Sequence, residues 1–180
     1  DLTEAFNAFT ASGDEMIKAV TFFTAVHDVD YTIEIYDDFT GGELQNLLAS
    51  KSGTTAYSGF HTIDLASPVN LTNGDDFYVY LNLSNGGHPY DRTSEVPVLL
   101  GADYRVLVES SASPGESFYK ENGKWLDFYD YNDQSGYQNT GNFCINVLTD
   151  DGQFSIPSSY DLRDVNGVNY VTSVKSQQGG

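Results

Sequence analysis

Residues 29–37, Val-Asp-Tyr-Thr-Ile-Glu-Ile-Tyr-Asp, alternate apolar and polar positions. Val29, Tyr31, Ile33 and Ile35 fall on one side, Asp30, Thr32 and Glu34 on the other, the mark of a half-buried strand. Residues 77–83 repeat the pattern, with Phe77, Val79, Leu81 and Leu83 on one face. So do residues 59–65, where Phe60, Thr62 and Asp64 oppose His61, Ile63 and Leu65. Residues 142–148 place Phe143, Ile145 and Val147 opposite Cys144, Asn146 and Leu148. The apolar stretch 16–26 reads as a further strand, and His27-Asp28 as a short turn joining it to 29–37 in a hairpin. Residues 104–109 are apolar with little alternation, which predicts a strand buried on both faces. Gly41–Ala49 is the one plausible helical turn. Asn73-Gly74, Asn85-Gly86-Gly87, Pro114-Gly115 and Asn122-Gly123 punctuate the chain. Asn122-Gly123 predicts a two-residue hairpin between 117–120 and 124–128.

Eight or so strands with turn signals between them predict an all-β fold: an antiparallel β-sandwich, jelly-roll-like, with an extended C-terminal tail. The sandwich is expected over residues 1–150, with a linker and tail over 151–180. The abundance of aromatic residues, 13 Tyr and 11 Phe among 180 residues, favours strands in the same way.

Charge narrows the partners. Eight Lys and Arg against 26 Asp and Glu leave a formal charge of −18. Such a surface repels phosphate backbones, which excludes nucleic acid and anionic membranes as natural partners. No apolar run is long enough for a membrane span. One cysteine, Cys144, rules out an intrachain disulfide. Nothing at the start reads as a signal peptide, and Asp1-Leu-Thr-Glu reads as an internal cut in a longer precursor. Two glycosylation sequons occur, at Asn70 and Asn82, and matter only in a host that glycosylates.

Candidate chemistry is sparse. Cysteine-peptidase catalysis needs a thiolate beside a histidine. Cys144 sits mid-strand, a packing position. His27, His61 and His88 fall in a turn, a strand and a loop, with no metal-site spacing among them. The acidic doublets Asp37-Asp38, Asp75-Asp76 and Asp150-Asp151 stand at strand ends, where carboxylates can hold Ca2+, the one cofactor that the residues suggest. The stretch from Asp130 to Gly136 departs from a calcium-loop pattern, because Ser135 stands where glycine is required. Trp125, Tyr129 and Tyr131 flank Asp130 and Asn132; aromatic faces beside planar polar groups suit a glycan or peptide ligand.

Two resemblances add a family. The run Val174-Lys-Ser-Gln-Gln-Gly-Gly180 resembles the approach to the catalytic cysteine of papain-family peptidases, with the Cys-Trp pair expected beyond Gly180. The resemblance offers Gln177 or Gln178 as the match to that family's oxyanion-stabilising glutamine, with the spacing to the cysteine open. Ile156-Pro-Ser-Ser-Tyr-Asp-Leu-Arg-Asp164 resembles the start of the mature peptidase. Over roughly 8–149, the segments at 18–24, 31–36, 59–65, 77–81, 114–118 and 142–145 resemble the lectin-like module attached to bacterial and archaeal papain-family peptidases. The resemblance implies a non-catalytic, extracellular or cell-surface accessory module of a secreted peptidase precursor. Its partner would be a papain-like peptidase domain; sugar binding does not follow from the family name. The alternative is a structural subunit of an extracellular assembly or filament. The strand-forming run around Val168, Tyr170, Val171, Thr172 and Val174 would then complete a sheet edge on a neighbouring copy.

Overall fold

The computed structural model describes residues 2–99, 101 and 103–152. The linker and tail, including Val168, Tyr170, Val171, Thr172, Val174, Gln177 and Gln178, lie outside the described residues. The strands are β1 (Glu4–Thr10), β2 (Glu15–Thr24), β3 (Val29–Thr40), β4 (Glu43–Thr55), β5 (Gly59–Leu71) and β6 (Asp76–Leu83). After these come β7 (Tyr90–Asp91), β8 (Ser94–Pro97), β9 (Arg105–Val108), β10 (Ser117–Glu121) and β11 (Lys124–Asp127). A short 3-10 helix (Phe128–Asp130) precedes β12 (Asn142–Phe143) and β13 (Ile145–Asp150). All pairings among the described residues are antiparallel.

A six-stranded sheet, ordered β11-β10-β1-β6-β3-β4, packs on a three-stranded sheet, β13-β2-β5. The alternation predicted for 29–37 and 77–83 is what builds the core. Val29, Tyr31, Ile33 and Ile35 of β3 and Phe77, Val79, Leu81 and Leu83 of β6 are all buried. Facing them are Ile17, Val20 and Phe22 of β2, Val69 and Leu71 of β5, and Ile145 of β13. Phe22 meets Tyr31 across the layers, ring centroids 5.5 Å apart.

Three local expectations are corrected. First, β2 and β3 do not form a hairpin: β2 pairs with β5 and β13, and β3 with β4 and β6. Hairpin strands turn matching side chains to the same side of one sheet. Here the apolar sides of β2 and β3 face each other, so the link at His27-Asp28 crosses between layers. Second, residues 41–49 are not helical. Gly41 (φ 67°) and Gly42 (φ 82°) make a two-residue turn between Thr40 and Glu43, and β4 begins there. Positive φ at both turn positions matches the twist of a hairpin and suits glycine. Third, the strand within 104–109 is exposed along its whole length rather than buried on both faces. A continuous apolar run reports hydrophobicity; it does not report what covers it.

Asn122 (φ 51°) and Gly123 (φ 76°) do turn β10 into β11, as expected. Residues 142–148 are not one strand. The chain breaks at Cys144, whose N–H donates to the Pro89 carbonyl at 3.0 Å. Phe143 pairs with Tyr90 in a small second sheet, while Ile145 pairs with Phe22 in the three-stranded sheet. Asn7 of β1 secures the break from the opposite layer. Its Nδ2 donates to the carbonyls of Phe143 (2.8 Å) and Ile145 (2.9 Å), and its Oδ1 accepts from Ser117 Oγ (2.7 Å). Asn7 and Ser117 are both buried.

Removing a buried amide that satisfies two buried carbonyls costs both its bonds and their desolvation, about 3 kcal/mol. Asn7→Ala is expected to lower the unfolding free energy by that amount in urea titrations. His88 is buried and its pKa is lowered from 6.5, by burial first, with the hydrogen bond to the Thr3 carbonyl partly offsetting it. The unfolded chain therefore takes up a proton that folded His88 resists. Its contribution to stability is present above about pH 6.5 and is lost as pH falls toward the lowered value. In His88→Gln, the stability difference between about pH 7.5 and about pH 5.5 should shift toward higher relative stability at the acid end, measured by urea midpoints.

Candidate functional site

The outer face of the six-stranded sheet carries an aromatic cluster separate from the main core. Phe6 of β1 points outward from the sandwich yet is wholly buried. Phe118 stacks on it at 4.6 Å, Trp125 and Phe39 meet it edge-on at 4.8 and 4.9 Å, and Tyr78 stands 5.9 Å away. Polar groups border the cluster. Lys120 Nζ donates to Glu4 (3.0 Å) and lies 5.3 Å from the Trp125 ring. Tyr80 donates to the same Glu4 carboxylate at 3.0 Å; burial, then this bond, pushes its hydroxyl well above the usual pKa. Burial, then the bond to Glu34, pushes Tyr36 up to about 12.

The sequence-predicted ligand residues do not converge. Trp125 is a wall of this outer cluster. Tyr131 lies on the other side of the sheet, stacked on Phe128 at 5.1 Å and edge-on to Tyr119 at 5.4 Å. Tyr129 is held by backbone bonds: its N–H donates to Asp127 Oδ1, and its carbonyl accepts from Asn139. Asp130 and Asn132 are exposed, and Asn132 accepts from the Gln134 N–H.

Four of the six doublet carboxylates accept hydrogen bonds from nearby groups. Asp38 accepts from Thr40, Asp75 from the Thr72 N–H, and Asp76 from Thr10, at 2.7 to 2.8 Å. Asp150 accepts from the Gly152 N–H and stands 3.9 Å from Lys18; Asp37 and Asp151 are exposed. Asp76 and Asp38 both approach Tyr78, whose pKa is raised by burial first and then by these two carboxylates. Among the described residues no group of three or more His, Cys, Asp or Glu side chains is arranged to hold a metal ion.

A concavity of about 1000 Å³ runs beside the end of β1. β10 pairs with β1 from Ala5 to Asn7, and Ala8 N–H reaches the Glu116 carbonyl at 2.8 Å. Beyond that point the edge of β1 is uncovered on that side and forms the floor of the groove. Phe9, Phe39, Tyr78 and Phe118 supply apolar walls, and Asp76, Asp91 and Glu116 supply carboxylates. The lining contains no Lys, Arg or His. Such a groove rejects anions and accommodates an extended uncharged or cationic chain. Its carboxylates are fixed in place: Glu116 accepts from the Ser113 N–H (2.8 Å) and Asn142 (3.0 Å), and Asp91 from Ser110 (3.1 Å).

Cys144 opens on this groove and is half-buried rather than sealed in a strand interior. Burial, then the Asp91 carboxylate, pushes its thiol up, the reverse of what a nucleophile needs. The histidines are engaged elsewhere. His61 Nε2 meets Thr24 Oγ1 at 2.9 Å, His27 packs on Tyr57, and His88 Nε2 meets the Thr3 carbonyl at 2.9 Å.

Sequence reasoning missed two groups. One is the Asn7–Ser117 pair. The other is Arg92, whose Nε lies 2.7 Å from Asp133 Oδ2, with Tyr90 donating to the same oxygen at 3.0 Å. Burial alone would raise Asp133; Ser135, Tyr90 and Arg92 outweigh it and hold the carboxyl below its ordinary pKa. Residues 41 positions apart give no local signal of such a bond.

Two solved structures resemble the chain over this frame. One holds the cysteine protease and lectin-like domains of Cwp84, a surface layer associated protein of Clostridium difficile. It is 26% identical, with a TM-score of 0.57, over 82% of this chain and 32% of that one. A form of the same clostridial cysteine protease after propeptide cleavage is 25% identical, with a TM-score of 0.58, over 82% of this chain and 35% of that one. The chain thus spans about a third of the length of each. No curated protein matches. The model of the family described as "Lectin like domain" matches residues 2–149, and with the β-sandwich this establishes that the chain belongs to the lectin-like domain family.

Proposed function

We propose that this chain is the non-catalytic accessory module of a papain-like cysteine peptidase precursor that works at the cell surface. The observation that carries the reading is a juxtaposition. A lectin-like sandwich ends at Asp150, and six residues later Ile156-Pro-Ser-Ser-Tyr-Asp-Leu-Arg-Asp164 begins a segment resembling the mature peptidase start. Two further features support it. The relative of known structure joins a lectin-like domain to a cysteine protease and is associated with a surface layer. Cys144 has a raised thiol pKa and no histidine partner, so the module supplies no nucleophile of its own.

The chain alone should not turn over peptide substrates of cysteine peptidases; turnover sensitive to E-64 would refute the reading. Iodoacetamide should modify Cys144 at least about tenfold more slowly than a free cysteine near pH 8. The coding sequence after Gly180 should continue with a Cys-Trp pair, and a stop codon there would overturn the proposal. Were the chain a filament subunit instead, deletion of residues 153–180 would abolish large assemblies seen by light scattering.

A further inference from the structure

β8 and β9 form a two-stranded ribbon that pairs with no other strand among the described residues. Its register sets Ser94 opposite Val108 and Val96 opposite Val106, and Val98 N–H continues the ladder to the Tyr104 carbonyl at 3.2 Å. Side chains alternate along a strand, so Val96, Val98, Tyr104, Val106 and Val108 share one face. All five are exposed, Val98 at 48% and Tyr104 at 70%. No charged residue of the paired strands falls on that face; Glu95 and Arg105 point the other way. A contiguous apolar stripe on a chain of charge −18 marks an interaction surface.

The ribbon is anchored at its root. Thr93 is buried, and its hydroxyl donates to the Ser110 carbonyl (3.1 Å) and accepts from the Ser110 N–H (3.0 Å). Arg92 beside it holds Asp133. An isolated two-stranded ribbon is marginal in water. This one is fixed at its base and presented with its apolar face bare, which lowers the ordering cost of docking. A cleft of about 420 Å³ lies at the foot of that face, between Val96, Val108 and Tyr90, Asp91, Arg92.

We propose that the apolar face of the β8–β9 ribbon is the docking surface for the papain-like domain of the same polypeptide. This rests on the functional reading above. Three observations select that occupant. β13 begins at Ile145, next to the Phe143–Tyr90 pair at the ribbon's root, and ends five residues on at Asp150. The peptidase-like segment starts six residues later, a reach of about 20 Å, enough to run back along the whole of β13. A tether this short holds its domain at an effective concentration near millimolar, so a modest apolar stripe suffices. A second copy of the chain is disfavoured, because two bodies of charge −18 repel one another.

Hydrogen exchange read by mass spectrometry tests this, comparing the 180-residue chain with the polypeptide that carries the downstream peptidase domain. Amides of residues 94–96, 98 and 104–108 should exchange about tenfold more slowly in the longer polypeptide. The double substitution Val96→Glu, Val106→Glu should restore fast exchange there, and should leave the near-UV circular dichroism of the 180-residue chain unchanged. Equal ribbon exchange in both, with an active peptidase present, overturns the docking proposal and leaves the accessory reading intact. A longer polypeptide with no peptidase activity overturns the accessory reading itself. If the 180-residue chain is a dimer that the double substitution makes monomeric, the occupant is a second copy and the proposal is wrong.

Discussion

The fold depends on one buried amide. The strand carrying residues 142–150 changes sheets at Cys144, and the buried carbonyls of Phe143 and Ile145 flank that break. A buried carbonyl without a donor costs about 1–3 kcal/mol. Asn7 supplies both donors at 2.8 and 2.9 Å from the facing sheet, and Ser117 satisfies its remaining oxygen. No apolar residue of similar size could do this. Because the break is fixed, Phe143 can pair with Tyr90, and the chain from Tyr90 to Arg92 is held where the ribbon departs. The same break places Cys144 at the groove. The groove and the ribbon are therefore both set by a contact between residues 136 to 138 positions apart.

A second constraint is charge. With 26 carboxylates and eight Lys and Arg, most acids cannot find a cation. Among the described residues there are three ion pairs. The carboxylates instead accept from backbone N–H groups at turns: Asp14 from Asn73, Asp75 from Thr72, Glu116 from Ser113, and Asp127 from both Gly115 and Tyr129. Each satisfies a donor that the sheets leave over. The acidic surplus thus has a structural role beyond solvation, and Asp75 and Asp150 of the doublets are used in the same way.

How much could be read in advance follows from the range of each interaction. The core faces of β3 and β6 were legible because alternation is local, and their partners lie in the same sheet. The Asn122-Gly123 hairpin was legible because the turn needs positive φ at adjacent positions. The apolar phase of β2 was not. Lys18 bulges out of both ladders, with Ile17 opposite Val69 but Ala19 opposite Asp64. This lets Ile17 and Val20 both face inward and hides the period. Residues 65–68 form the other side of that irregularity, where Pro68 needs no ladder bond. For the site, aromatic composition singled out Trp125 and Tyr131. Only their ring contacts, Trp125 with Phe6 and Tyr131 with Tyr119, show that they lie on opposite sides of one sheet. Asn7 carried no signal, because its strand, residues 4–10, was not picked out by the apolar pattern and its partners lie more than a hundred positions away.

Phe6 shows that the outer face of the large sheet is closed by the chain's own side chains. The central strand β1 is covered on both faces: by the sandwich core inside, and outside by Phe39, Phe118 and Trp125, with Lys120 and Glu4 at the rim. The sandwich does not need an outside layer to hide its sheet. The exposed Val and Tyr stripe of the ribbon is therefore not a remnant of an incomplete core. It stands apart from both clusters, and it is joined to them through the Thr93–Ser110 and Arg92–Asp133 contacts. A surface whose burial the fold does not require, yet which is anchored at its root, is the kind of surface that intermolecular or interdomain contacts use.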